Sequence, residues 1–243
     1  MHSLFGMKHV ILLLISAAAI PAAYFAARKW SLEKLTKVLF SIGILSELIK
    51  VFYYIVSNEA VYGGILPRTD LPFHLCSIQI LFLAVIRFLP SQKVRELLLS
   101  FMIPSCLLGG IAALLIATTS SLNGGWILTV QYFGYHSAIV AFALILLTTN
   151  AIELTVKHYL NCLKFLVALL LFAIYINSIL YDGVSNINFM YVASPPQQGL
   201  PFLNEEKGWL VYILRYAALV VTCITACYIR PLWRGIKGKL PSK

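Results

Sequence analysis

Apolar residues in this chain do not alternate with polar ones at the strand period; they run in long blocks separated by short polar intervals. A block crosses the hydrocarbon of a bilayer as a helix when it holds roughly 20 predominantly apolar residues. Seven blocks qualify, at about 9–27, 37–57, 73–90, 97–118, 127–149, 160–181 and 208–229. The first is longer than a signal-peptide core and lacks a clear A-x-A cleavage site, so it is expected to stay as a helix. Apart from 58–72 and 182–207 the intervals are short, and none is long enough to bury a core of its own. The pattern predicts an all-α fold: one polytopic membrane domain of seven transmembrane helices over residues 1–243.

Composition agrees and narrows the class. Of 243 residues, 60% are hydrophobic and 12% charged, with a mean hydropathy of +0.86, against about 45–50% apolar and 25% charged in soluble domains. A water-soluble monomer is excluded. The net charge of +10 would suggest nucleic acid in a soluble protein, but here the cations fall in alternate connections. Arg28, Lys29, Lys34 and Lys37 follow the first block, Lys93 and Arg95 the third, Lys157 and Lys164 the fifth, and Arg230, Arg234, Lys237, Lys239 and Lys243 the last. The other connections carry Glu59, Arg68 and Asp70, then no charge in 119–126, then Asp182, Glu205, Glu206 and Lys207. The positive-inside rule then predicts an outer N-terminus and a basic cytoplasmic tail at 230–243. With the charge assigned to topology, no nucleic-acid partner is expected. P-loop, dinucleotide, G-x-S-x-G and H-E-x-x-H motifs are all missing, so no nucleotide or cofactor is expected either. Five cysteines without a C-x-x-C pair point to neither a disulfide framework nor a metal site.

Polar groups at membrane depth are costly, and each is a candidate for function. Glu47 and Lys50 stand three residues apart on one helical face, either as a self-neutralising pair or in contact with substrate. Arg87 and Lys164 lie near block ends, where snorkelling accounts for them. Arg215, about two turns below the outer surface, is with Lys50 a candidate for holding an anionic headgroup. His74 and Cys76 occur in Leu71-Pro-Phe-His-Leu-Cys-Ser-Ile-Gln79, where Pro72 suits the first turn of a helix. His136 lies about nine residues into the fifth block, so it and Cys76 meet in the outer half if the third and fifth blocks pack together. A thiol becomes a strong nucleophile when an imidazole takes its proton, and it then accepts an acyl group as a thioester. Glu47, Gln79 or Asn177 would orient the base. The bland alternative is that these residues only pack. At the end of the sixth block and in 182–207, Tyr181, Asn186, Asn188 and Tyr191 precede the stiff Pro195-Pro196 pair. They read as an aromatic belt on a polar loop, or as a lid over an outward-facing cavity. The amides of Asn177, Asn186 and Asn188 are candidate donors to an oxyanion.

Several of these motifs together resemble the YwaF-type bacterial integral membrane family: Phe5-Gly-Met-Lys-His9, the glutamate of the second block, Pro72-Phe-His-Leu-Cys76, His136, and Asn186-x-Asn-Phe-Met-Tyr-x-x-x-Pro-Pro196 ahead of Trp209. The resemblance spans nearly the whole chain. That family is similar to a eukaryotic transmembrane group proposed to move acyl chains between phospholipids through a cysteine thioester, and more distantly to androgen-induced membrane hydrolases with a threonine and a histidine. The resemblance implies Cys76 as nucleophile and His136 as base, with His74 the alternative histidine. It also implies a lipid substrate and a multi-pass protein of the bacterial cytoplasmic membrane, working toward the outer leaflet. The expectation is a membrane-embedded phospholipid acyltransferase or transacylase. The alternative is a non-catalytic transporter or lipid-binding protein using Glu47, Lys50 and His136; the lack of an internal repeat speaks against it.

Overall fold

The computed structural model describes residues 4–56, 66–89, 91–123, 125–197, 200 and 202–237, the side chains of 119, 120 and 235–237 excepted. Glu59 and the tail lysines Lys239 and Lys243 lie outside the described residues. Those described form helices and turns, with no strand among them. The helices are α1 (Met7–Ala27), α2 (Leu32–Val56), α3 (Ile78–Phe88), α4 (Gln92–Leu115), α5 (Thr119–Asn123), α6 (Trp126–Thr148), α7 (Val156–Leu180), α8 (Trp209–Cys227) and α9 (Ile229–Lys237).

Six of these are long and apolar enough to cross a membrane: α1, α2, α4, α6, α7 and α8. Where a seventh full span was expected, at 73–90, only the eleven residues of α3 are helical. At 1.5 Å per residue that covers about 16 Å, roughly half of a hydrocarbon core of about 30 Å. Proline chemistry explains the shortfall. Pro72 disfavours helical backbone in the residue before it, and Leu71 is extended at φ −60°, ψ 148°. Pro72 therefore stands in a run of turns, and α-helix begins only at Ile78. The far end of α3 meets the start of α2, where Arg87 lies 3.4 Å from Glu33. The segment thus runs antiparallel to α2 and ends beside Arg28 and Lys29, at what is here called the basic end.

α4 and α6 form the buried centre of the bundle. α6 packs on α1, α2 and α4, and α4 in turn on α3, α7 and α8. Ala143, Leu146, Met102 and Ile103 are fully enclosed. Nearer the basic end the core is aromatic: Phe82, Phe101 and Phe165 meet with ring centroids 4.8–6.0 Å apart. Pro104 lies inside α4 and cannot donate to the carbonyl of Ser100 one turn back. That carbonyl accepts instead from the Tyr228 hydroxyl at 2.9 Å, tying the end of α8 to the centre. The Phe5–His9 motif has a similar anchoring role. The Phe5 amide donates to His9 Nδ1, so His9 Nε2–H donates to the carbonyl of Leu114 at 2.8 Å.

The connection from α7 to α8 leaves the surface and enters the bundle. Ile187, Phe189, Met190 and Val192 are buried, and the last two belong to the main core. Non-helical backbone is tolerated at membrane depth only where protein or a polar cavity satisfies it. Here side chains supply the partners. Asn177 accepts from the Phe189 amide at 2.8 Å and donates to its carbonyl at 3.3 Å. Asn188 holds Ser194 and Ala193, Trp209 donates to the Val192 carbonyl, Tyr216 to that of Met190, and Tyr212 to those of Tyr191 and Ser194.

Candidate functional site

Two segments outside the α-helices, 66–77 and 186–196, each with one 3-10 turn, face one cavity of about 420 Å³. Its lining is one-sided. It takes α2 from Glu47 onward, no residue of α3, α4 and its C-cap only from Leu108 to Ile116, α6 from Leu128 to His136, and α8 from Tyr216 to Val220. Among the described residues the lining therefore stops about midway along the helices, above the Phe82, Phe101 and Phe165 layer, and opens among the loops away from the basic end.

Cys76 and His136 both line this cavity. The backbone of Cys76 is fixed by the Tyr135 hydroxyl, which donates to its carbonyl at 2.8 Å; Tyr135 immediately precedes His136. Two consecutive glycines of α4 back onto both groups. A Cβ on Gly109 would stand 3.1 Å from Cys76 Sγ, and one on Gly110 3.2 Å from the His136 carbonyl and 2.5 Å from Val140. Only glycine lets α4 approach the thiol and α6 this closely.

The protonation of each imidazole follows from its partner. His136 Nδ1 lies 2.7 Å from the Tyr132 carbonyl, which can only accept, so Nδ1 carries the proton and Nε2 keeps its lone pair when the ring is neutral. His74 is the opposite case. Its Nδ1 accepts from the Met190 amide at 3.4 Å, so the neutral ring carries its proton on Nε2. Rings pack around both: Tyr132 against His136 at 4.2 Å, and Phe189 and Tyr191 against His74 at 5.1 and 5.3 Å. Met190 and Tyr191 have positive φ, 55° and 52°, an uncommon conformation for side chains of this size. This conformation aims the Met190 amide at His74.

At the loop end of the cavity Glu47 and Lys50 form an ion pair of 2.8 Å, with 23% and 14% of their side chains exposed. Lys50 also donates to the Asp70 carbonyl at 2.7 Å, and Tyr54 donates to the Asp70 carboxylate. Asn186, Asn188 and Tyr191 line the cavity, whereas Gln79, Asn177 and Arg215 do not. Gln79 donates to the Leu75 carbonyl and to Ser105, with its own oxygen buried and unpartnered. Asn177 and Asn188 are committed to loop backbone as described. Arg215 donates to the Phe202 carbonyl and Asn204. Sequence reasoning passed over Tyr132, Tyr135 and Tyr216, and read Gly109 and Gly110 only as small residues that permit close helix approach. Tyr132 carried a signal, one turn before His136 on the same face; the others are defined by contacts across the chain. No group of three or more metal-ligating side chains gathers among the described residues.

These features define a helical polytopic membrane protein whose largely apolar cavity, among the described residues, reaches about midway along its helices. The chain belongs to the TMEM164 family, whose profile matches residues 4–228. No significant match was found among curated proteins or among solved structures.

Proposed function

We propose that the chain is a membrane-embedded acyltransferase or transacylase that moves a fatty acyl group between glycerophospholipids through a thioester on Cys76. The observation that carries this reading is that one cavity is lined by both a thiol and a histidine whose free nitrogen is a lone pair. His136 Nε2 takes the thiol proton while Sγ attacks the ester carbonyl. The tetrahedral intermediate collapses, the ester C–O bond breaks, and the proton passes to the departing lysolipid oxygen. The hydroxyl of an acceptor lipid then gives its proton to His136 and attacks the thioester, and the thiolate leaves and recovers that proton.

A cavity that stops at the midplane favours a reaction site over a transport path, since alternating access needs a route to the far side. With the basic connections assigned to the cytoplasm by the positive-inside rule, the site faces the outer leaflet of a bacterial cytoplasmic membrane, in keeping with the YwaF-type resemblance. Full-length protein in vesicles containing a phospholipid with a labelled acyl chain tests the reading. Label is expected on Cys76 as a hydroxylamine-labile adduct and then on added lysolipid. Transfer by Cys76→Ala at the parent rate overturns it.

A further inference from the structure

Acyl transfer needs two things of its surroundings: a base for the thiol and a hydrogen-bond donor for the oxygen that becomes negative when Sγ attacks. A neutral imidazole with one nitrogen engaged offers only one of them. The cavity holds two imidazoles whose partners set them in opposite tautomers. His136 gives up its N–H to the Tyr132 carbonyl and presents a lone pair. His74 accepts from the Met190 amide and presents Nε2–H, to which no described residue is bonded. Of the asparagines the sequence offered as donors, Asn177 and Asn188 spend their amides on loop backbone and Asn177 is outside the cavity, whereas Asn186 lines the cavity and is a second candidate donor beside His74.

We propose that His74 is a catalytic residue distinct from the base, donating its Nε2–H to the oxyanion formed when Cys76 attacks the acyl carbonyl. The inference rests on the acyl-transfer reading above and adds a role that reading does not use. His74 keeps its proton throughout: the hydrogen bond tightens as the carbonyl oxygen gains charge and relaxes as the ester C–O bond breaks. The left-handed backbone at Met190, braced by Tyr216 on its carbonyl at 2.9 Å, keeps an N–H on His74 Nδ1 and so keeps the ring in the donating tautomer. Strained residues of this kind persist where the surroundings over-determine them, typically at functional sites.

Alkylation of a thiol by iodoacetamide is a displacement at carbon with no oxyanion, so it separates the two histidines. Full-length parent, His74→Ala, His74→Gln, His136→Ala and Cys76→Ala proteins in phospholipid vesicles are compared by alkylation at Cys76, followed site by site, and by acyl transfer to lysolipid. His136→Ala should slow both reactions. His74→Ala should slow acyl transfer about 100- to 1,000-fold while leaving alkylation nearly at the parent rate. His74→Gln, whose amide N–H occupies a similar place, should recover at least part of that loss. The proposal is overturned if His74→Ala transfers at the parent rate, or if it slows alkylation as much as transfer, which is the signature of a base or of a disturbed fold. Transfer that survives Cys76→Ala sinks the underlying reading instead. Transfer abolished in Cys76→Ala but intact in His74→Ala removes only this inference.

Discussion

Gly109 of α4 backs onto Cys76 so closely that a single methyl group on it would stand 3.1 Å from the sulfur. Gly109→Ala is therefore expected to displace the thiol by a few tenths of an ångström. Alanine is favoured over glycine in a helix by roughly 0.5–1 kcal/mol, which offsets the crowding, so the thermal midpoint in detergent should change little. Acyl transfer, which depends on near-attack geometry, should fall about tenfold. Parallel melting and turnover measurements check the separation.

The neighbouring glycine should behave differently. Gly110→Ala places a methyl 2.5 Å from Val140 Cγ2 and 3.1 Å from Ile139 Cγ1, between the two central helices. Overpacking of this kind costs typically about 1–3 kcal/mol. A clear drop in thermal midpoint is expected, whereas Gly109→Ala shows none.

The Glu47–Lys50 pair gives a third test. Lys50→Met strands a carboxylate in a low-dielectric site and frees the Asp70 carbonyl. Breaking fully buried pairs costs about 3–5 kcal/mol, and because these side chains retain some exposure the expected loss is about 1–3 kcal/mol. Glu47→Gln with Lys50→Met should recover part of it in a double-mutant cycle. Full additivity of the two single changes would show that the pair has no coupling.

Asn177 provides both partners of the Phe189 peptide groups. Asn177→Ala leaves a buried N–H and C=O unpaired, for an expected loss of about 2 kcal/mol. Amide hydrogen exchange should rise in 186–196 and remain slow in α4 and α6. Uniform exchange across the bundle would refute a local clamp.

Asp182, beyond the end of α7, accepts from the Ser185 amide at 2.6 Å, the Val184 amide at 3.0 Å and the Ser185 hydroxyl at 2.8 Å, with Arg68 3.2 Å away. These donors, the Ser185 amide foremost, hold its carboxyl down at about 2. A lowered native value means that the carboxylate supports the turn at all pH above the ordinary range near 4 and loses that support as pH falls through about 2. Exchange protection of the Val184 and Ser185 amides should follow the same course, and Asp182→Asn should flatten it.

The long helices and the i,i+3 ionic pair are legible in the sequence because both depend on local spacing alone. The place of His136 along α6 follows from counting residues in its block, whereas Cys76 lies in the turns before α3, where a helical count does not apply. What spacing does not reveal is backbone that is buried without being helical. Residues 186–196 have the asparagines and paired prolines of a surface loop around an apolar run, and their burial depends on Asn177, Tyr212 and Tyr216, which arrive from two helices. The turns at 72–77 look like the start of a span because their side chains are apolar. Pro72 was a clue to the break, since proline fits a first helical turn and also ends any helix that would precede it. Arg215 has the right depth for a headgroup contact but faces Phe202 and Asn204, a matter of helix rotation that no periodicity settles when the whole block is apolar.

The half-length α3 and the blind cavity also have an electrical consequence. A cavity continuous with one aqueous compartment carries that compartment's potential to its floor, so the voltage across the membrane falls over the remaining half, the layer containing Phe82, Phe101 and Phe165. In the proposed reaction, a proton moving between Cys76 and His136 would cross almost none of the field, although a full crossing would involve about 2.3 kcal/mol per 100 mV. The proposed turnover is consequently expected to be indifferent to the energised state of the membrane that surrounds it.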